Sequence, residues 1–367
     1  MKGRNAETIK CRITECMELS ENGEFWNDSC LSEELDYAIE RGAVGATTNP
    51  PIIANAVEKE MSLWRGPIDE FIKSEASASE EDIAWLITQE ICIRNSARFL
   101  PVFEASKGRK GRFTIQTNIK NYRSSEKLLE QALQLNSLAP NLHIKLPVSH
   151  GALKAIEEAT YAGISVIVTL AFTVAQAIAA AEAVERGLKR RELEGKPVES
   201  MAPACAIMTG RLDDWLKITA KKEGISIDAE HLEWAGVAVF KKSYELYKQR
   251  SYRTKLLVAA YRNALQWSEL VGGNCIMTLP HSWQVMINAA ESPYKPRIDI
   301  PVSTEILGSL SGKLTDFVKA YNEEWDWADN KPFEAYGAMV MTLRDFTAGY
   351  DKLLHSIRDI LLNNPLL

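Results

Sequence analysis

SVIVTLAFTVAQAIAAAEA, residues 165–183, is apolar enough to suggest a membrane span and too punctuated to be one. A β-branched run ends near Ala171, Thr173 can cap a helix, and an Ala-rich stretch with Gln176 and Glu182 inside it follows. The segment therefore reads as a buried strand feeding a helix. The same unit recurs along the chain as a short apolar run, a turn and an amphipathic helix. Strands are expected near 24–28, 43–47, 112–118, 142–147, 165–171, 202–208, 255–261 and 274–279. Helices are expected near 31–41, 123–137, 150–162, 173–190, 231–250, 264–271 and 281–291, crossovers long enough for parallel pairing. Eight such repeats predict an α/β fold, a closed (β/α)8 TIM barrel. The open doubly wound sheet usually carries a Gly-rich phosphate loop after its first strand, and FWNDSCLSEE at 25–34 has no glycine.

The 367 residues read as one domain, 1–367, with a barrel core at about 21–292. Three parts exceed a minimal barrel: an N-terminal helix near 5–19, a helical insertion at about 61–110, and a C-terminal extension at about 293–367. The extension should hold helices at 312–324 and 333–361, with Trp325, Trp327, Tyr336, Phe346 and Tyr350 packing on the barrel.

A net charge of -6, without a basic run, argues against a nucleic-acid partner. The first twenty residues scatter their charges and lack a secretory apolar stretch, so a cytoplasmic protein with no membrane partner is expected. Six cysteines then read as free thiols. Without a CxxC or HxxxH pattern no metal is expected.

The sharpest chemical signal is LHIKLP at 142–147. Strand alternation turns Leu142, Ile144 and Leu146 to the helices and His143 and Lys145 into the barrel. Desolvation lowers the pKa of a buried lysine, which is what an amine needs to attack a carbonyl, although a snorkelling or ion-paired lysine would look the same. Thr114, Gln116 and Asn118 share the inward parity on their strand, and Thr169 interrupts the fifth. Asp28 is the single carboxylate near those strand ends; it is a general acid/base, with Thr169 and Gln116 holding a water, or else a helix N-cap. Arg211 in MTGRLDDW and Arg262 in VAAYRN follow consecutive strands and suit a phosphate, the alternative being surface pairing of Arg211 with Asp213 or Asp214.

GATTNPPII at 45–53, HIKLP at 143–147, NDS at 27–29, GRFTIQTN, GISVIVTLAFTVAQA, TGRLDDW and AYRN, in that relation along roughly 24–290, together resemble the transaldolase family. The resemblance implies a Schiff base between Lys145 and a ketose, Asp28 as acid/base, and a catalytic water positioned by Thr169 and Gln116. It also implies Thr47 and Asn49 in the pocket, and Arg211 and Arg262 on the substrate phosphate. Sugar phosphates are the implied partners, no cofactor is implied, and a homo-oligomer stays open. The expected activity is transfer of a dihydroxyacetone unit from a ketose phosphate to an aldose phosphate.

Four positions depart from that pattern. Gln116 stands where transaldolases commonly have Glu and the related fructose-6-phosphate aldolases have Gln, which keeps aldol cleavage as the alternative. Met208 stands where those aldolases place a Tyr hydroxyl, Ile167 replaces an Asn, and Ala260 replaces a Ser near the phosphate. An altered sugar or anion preference, a sulfonated sugar included, and a barrel that binds sugar phosphate without chemistry are the remaining alternatives.

Overall fold

A computed structural model describes residues 8–325 and 332–362, in which eight parallel strands close into a barrel in chain order. They are β1 Glu24–Asn27, β2 Gly45–Ala46, β3 Arg112–Gln116, β4 Leu142–Pro147, β5 Val166–Ala171, β6 Ala204–Met208, β7 Lys255–Ala259 and β8 Ile276–Leu279. Each lies within its predicted interval, and β8 returns to β1 in register from Ile276 opposite Glu24 to Leu279 opposite Asn27. The deciding segment divides as read. β5 runs into the helix Val174–Leu193, where Thr173 accepts from the Gln176 amide and Gln176 accepts from that of Thr173. Among the described residues no helix is long and apolar enough to cross a membrane.

Alternation along the strands separates two apolar layers. Leu142, Ile144 and Leu146 join the large core between barrel and helices, while Trp26, Ile167, Ala204, Ala206, Leu257 and Ile276 form a second cluster inside the barrel. Complete burial of an aliphatic side chain contributes roughly 1.5–3 kcal/mol, so these layers dominate the fold's stability.

Helix boundaries differ more than strands. The expected helix 231–250 is two, Ala229–Leu232 and Ala235–Gln249, and 312–324 is replaced by Thr304–Lys313 and Thr315–Tyr321. The N-terminal helix is confined to Arg12–Glu18; positions 5–7 and Trp327 lie outside the described residues. The insertion consists of Met61–Ser74, Glu80–Ala97 and Leu100–Ala105. Two further helices, Pro50–Lys59 and Thr209–Glu223, follow β2 and β6.

The C-terminal helix Gly337–Leu361 lies against Pro50–Lys59, Glu80–Ala97 and Thr209–Glu223. Its approach depends on Gly349, where an added Cβ would come within 2.6 Å of the Pro51 ring and backbone nitrogen. Phe346 is buried in this contact and Tyr350 meets Trp85 at 6.1 Å between ring centroids. The helix thus packs on the helices that follow β2 and β6 and, through Tyr350, on the insertion, bringing a distant segment beside the barrel mouth.

Candidate active site

The tripeptide Thr47-Thr48-Asn49, just after β2, fastens three neighbours at that mouth. The Thr47 hydroxyl donates to Asp28 Oδ1 at 2.5 Å and lies 2.6 Å from the Thr278 hydroxyl. A hydroxyl has one proton, so Thr278 must be the donor to Thr47. The Thr48 amide donates to Thr114 Oγ1 and its hydroxyl to the Thr114 carbonyl, locking the loop to β3. Asn49 Oδ1 caps the helix Pro50–Lys59 by accepting from the Ile52 amide at 2.9 Å, and prolines occupy the first two helical positions, where the missing N–H costs nothing.

Lys145 projects from β4 between Gln116 of β3 and Ile167 of β5, its register partners. It is 5 % exposed, and Nζ donates to the Thr48 carbonyl at 3.0 Å. Below it His143 packs against Trp26 at 5.8 Å, and burial pushes that imidazole down to about 3, leaving it neutral. Burial pushes the Lys145 ammonium down to about 8; Asp28 holds it up and Arg211 pushes it further down. The Asp28 carboxyl is raised by burial, against the Thr47 hydrogen bond and the charges of Lys145 and Arg211. A partly neutral amine beside a carboxylate whose proton affinity is increased can combine nucleophilic attack with proton transfer.

Asp28, Thr47, Asn49, Lys145, Thr169, Met208, Tyr261, Arg211, Arg262 and Thr278 line one cleft of about 370 Å³. Gln116 lines a neighbouring cavity of about 30 Å³ with Thr48, Asn49 and Tyr350. Its buried amide oxygen and nitrogen, like the Thr169 hydroxyl, find no hydrogen-bond partner among the described residues. Two of the four non-glycine residues with positive φ among the described residues lie at the same rim. Leu170, after Thr169, has φ +63°, and Ala260, after β7, has φ +64°; the left-handed region costs an L-residue roughly 1–2 kcal/mol.

Two local readings are corrected. Asp28 is not a helix cap: the helix Ser32–Glu40 begins after Leu31 without a side-chain cap, and the Ser32 amide is taken by Glu60. Nor does Arg211 pair with Asp213 or Asp214. Asp213 is fully buried and accepts from the Gly236 amide and Gln266, whereas Asp214 accepts from Arg262 Nε at 2.8 Å. Arg211 instead reaches Asp345 of the C-terminal helix at 2.6 Å and lies over the Phe346 ring. The two arginines converge because residue 210 is glycine; a Cβ there would stand 1.9 Å from the Ala260 carbonyl oxygen and 2.6 Å from Arg262 Cγ.

Asp345, Thr278 and Tyr261 were not singled out by sequence. Asp345 and Thr278 come from distant segments with no local signal, but Tyr261 stands inside the AYRN motif, one residue before Arg262.

A family described as Transaldolase/Fructose-6-phosphate aldolase matches residues 25–357. A protein named Transaldolase from Renibacterium salmoninarum is 27% identical over 299 residues, spanning 73% of this chain and 78% of its own length. The Transaldolase of Thiobacillus denitrificans is 27% identical over 328 residues, with 80% and 88% covered. Transaldolase 1 of Streptomyces avermitilis is 26% identical over 304 residues, with 74% and 79% covered.

Proposed function

The chain belongs to the transaldolase/fructose-6-phosphate aldolase family, and on that premise we propose that it is a transferase moving a dihydroxyacetone unit from a ketose phosphate to an aldose phosphate through an imine on Lys145. The observation that carries this reading is an amine lowered to about 8 in a cleft whose lining includes one carboxylate, Asp28.

The Lys145 nitrogen attacks the ketose carbonyl carbon, C2, and water leaves to give the iminium. Asp28 takes the proton of the C4 hydroxyl, the C3–C4 bond breaks, and its electron pair moves into the iminium to give an enamine while the first aldehyde departs. C3 of the enamine then attacks the acceptor's aldehyde carbon, and Asp28 returns the proton to the resulting alkoxide. Water, held by the Thr169 hydroxyl and the Gln116 amide, hydrolyses the imine and frees Lys145. Arg211 and Arg262 receive the substrate phosphate through their guanidinium forks, with Thr47 and Asn49 lining the sugar's path. The imine is itself the electron sink, so the reaction asks for no cofactor.

The unpartnered Gln116 amide favours one second reading, fructose-6-phosphate aldolase-like cleavage, in which water rather than an aldehyde completes the cycle. Acceptor dependence separates the two. With fructose 6-phosphate as donor, turnover should require an aldose phosphate and vanish in Lys145→Ala while the barrel stays folded. Turnover without acceptor assigns cleavage, and turnover retained by Lys145→Ala rejects the imine.

A further inference from the structure

TGRLDDW at 209–215 carries two consecutive carboxylates, and the helix Thr209–Glu223 turns them to different partners. Asp214 accepts from Arg262 Nε at 2.8 Å and the Tyr261 carbonyl accepts from Nη1 at 3.0 Å, which leaves Nη2 without a partner among the described residues. Asp213 turns inward and is fully buried. One of its oxygens accepts from the Gly236 amide at 2.8 Å; the other accepts from Gln266 Nε2 at 2.6 Å and from Asn263 Nδ2 at 3.3 Å. Gln266, fully buried as well, completes the chain, its Oε1 accepting from the Arg262 amide at 2.6 Å. The two neighbouring aspartates therefore hold Arg262 twice, Asp214 by its guanidinium and Asp213, through Gln266, by its backbone.

Packing alone does not call for a carboxylate here. All three groups bonded to Asp213 are neutral, and an apolar side chain of similar size would escape the cost of burying a charge. What the carboxylate adds is polarity. Both its oxygens only accept, so Gln266 must turn its NH2 toward Asp213 and its oxygen toward the Arg262 amide. Burial pushes the Asp213 carboxyl up, against the Gly236 amide, the Lys217 charge and the Gln266 amide. Three N–H donors converging on the group leave a carboxyl proton no acceptor, so the ionised form is the one that fits. The loop requires such a hold: Ala260, two residues before Arg262, sits at φ +64°, a conformation that persists only where its surroundings fix it.

The geometry points to Asp213 as a positioning residue for the anion site: by fixing the orientation of the Gln266 amide, it holds the Arg262 backbone where the guanidinium meets the substrate's phosphate. The inference rests on the reading above that Arg211 and Arg262 receive that phosphate. A residue that only stapled the core would affect phosphorylated and unphosphorylated substrates alike, and Asp213 should not.

The test uses Asp213→Asn and Gln266→Met in the full chain, with inorganic phosphate, fructose 6-phosphate and dihydroxyacetone as probes. Asparagine keeps the shape but must set its NH2 against the N–H of Gly236 or that of Gln266, and methionine removes the link while leaving Asp213 its other two donors. In each variant the Kd for inorganic phosphate and the KM for fructose 6-phosphate should rise about three- to tenfold, with kcat within about twofold and the KM for dihydroxyacetone unchanged. The double variant should lose no more than the worse single one, since both cut the same chain. Parental phosphate affinity and KM in Gln266→Met would overturn the proposal, as would equal losses on fructose 6-phosphate and dihydroxyacetone or additive losses in the double variant. If Asp213→Asn does not fold, Gln266→Met decides alone by the same measurements. An unaltered chain that binds no inorganic phosphate and favours no phosphorylated donor defeats the arginine reading, and this proposal with it, a result distinct from any loss confined to the variants.

Discussion

An ordinary lysine carries its proton until the pH exceeds about 10, and the barrel brings Lys145 from 10.5 to about 8. The neutral, nucleophilic fraction at pH 7 is then about one tenth, against about one in 3,000 for an unshifted side chain, a gain of roughly 300-fold. Competitive acetylation with a trace label, read peptide by peptide across pH, measures this fraction directly. Exposed lysines in the same digest act as the reference. Labelling of Lys145 should rise through a midpoint near 8, and turnover on the acid side should follow the same curve. The Asp28 charge is what holds the ammonium up, so Asp28→Asn should move the midpoint to lower pH. The same variant should lose turnover by about 100-fold or more, because proton transfer is gone. More reactive amine with less catalysis is a combination that simple disruption of the site does not produce. A Lys145 midpoint above 10, or an upward shift in Asp28→Asn, would refute the claim that desolvation and Asp28 together set this amine.

Gln116→Glu places a carboxylate beside Lys145 across the β3–β4 register and should change the ratio of transfer to cleavage on the order of tenfold; an unchanged ratio means this position does not set the water's reactivity. Asp345→Asn removes the partner that competes with substrate for Arg211; since Asp345 is half exposed, the gain is modest, and KM for a phosphorylated donor should fall about two- to fivefold at low salt with no change for unphosphorylated dihydroxyacetone. A rise in KM would instead show Asp345 orienting the guanidinium. Gly210→Ala drives a methyl into the Ala260 carbonyl and should destabilise by about 1–3 kcal/mol in denaturant melts, with a stability equal to the parent's contradicting the close approach.

The strands were legible because period and apolar content act locally, and a closed barrel follows once eight such runs each carry a crossover. Lys145 was legible for the same reason: parity alone sends it inward from β4. The helix Pro50–Lys59 was not, because Pro50-Pro51 reads as a break although proline is favoured in a first turn. The helix Thr209–Glu223 was hidden by its opening TGRLDD, which reads as a polar loop. Asp28 was ambiguous from its neighbours, since Asn-Asp-Ser before a helix suggests a cap; what removes that reading is Glu60, which takes the Ser32 amide, while Thr47, nineteen residues away, donates to Asp28. The alternative partners named for Arg211 differ from the observed one for the complementary reason: proximity in sequence favours Asp213 and Asp214, while the fold buries one, gives the other to Arg262 and brings Asp345 in from the last helix.

The most direct test of the central claim is borohydride reduction of the folded protein in the presence of fructose 6-phosphate or dihydroxyacetone, followed by peptide mass mapping. The account predicts one stable adduct, of the three-carbon unit or the sugar, on the peptide that contains Lys145. A folded protein that yields no adduct with either ketose, or one that carries its adduct on another lysine, would contradict it.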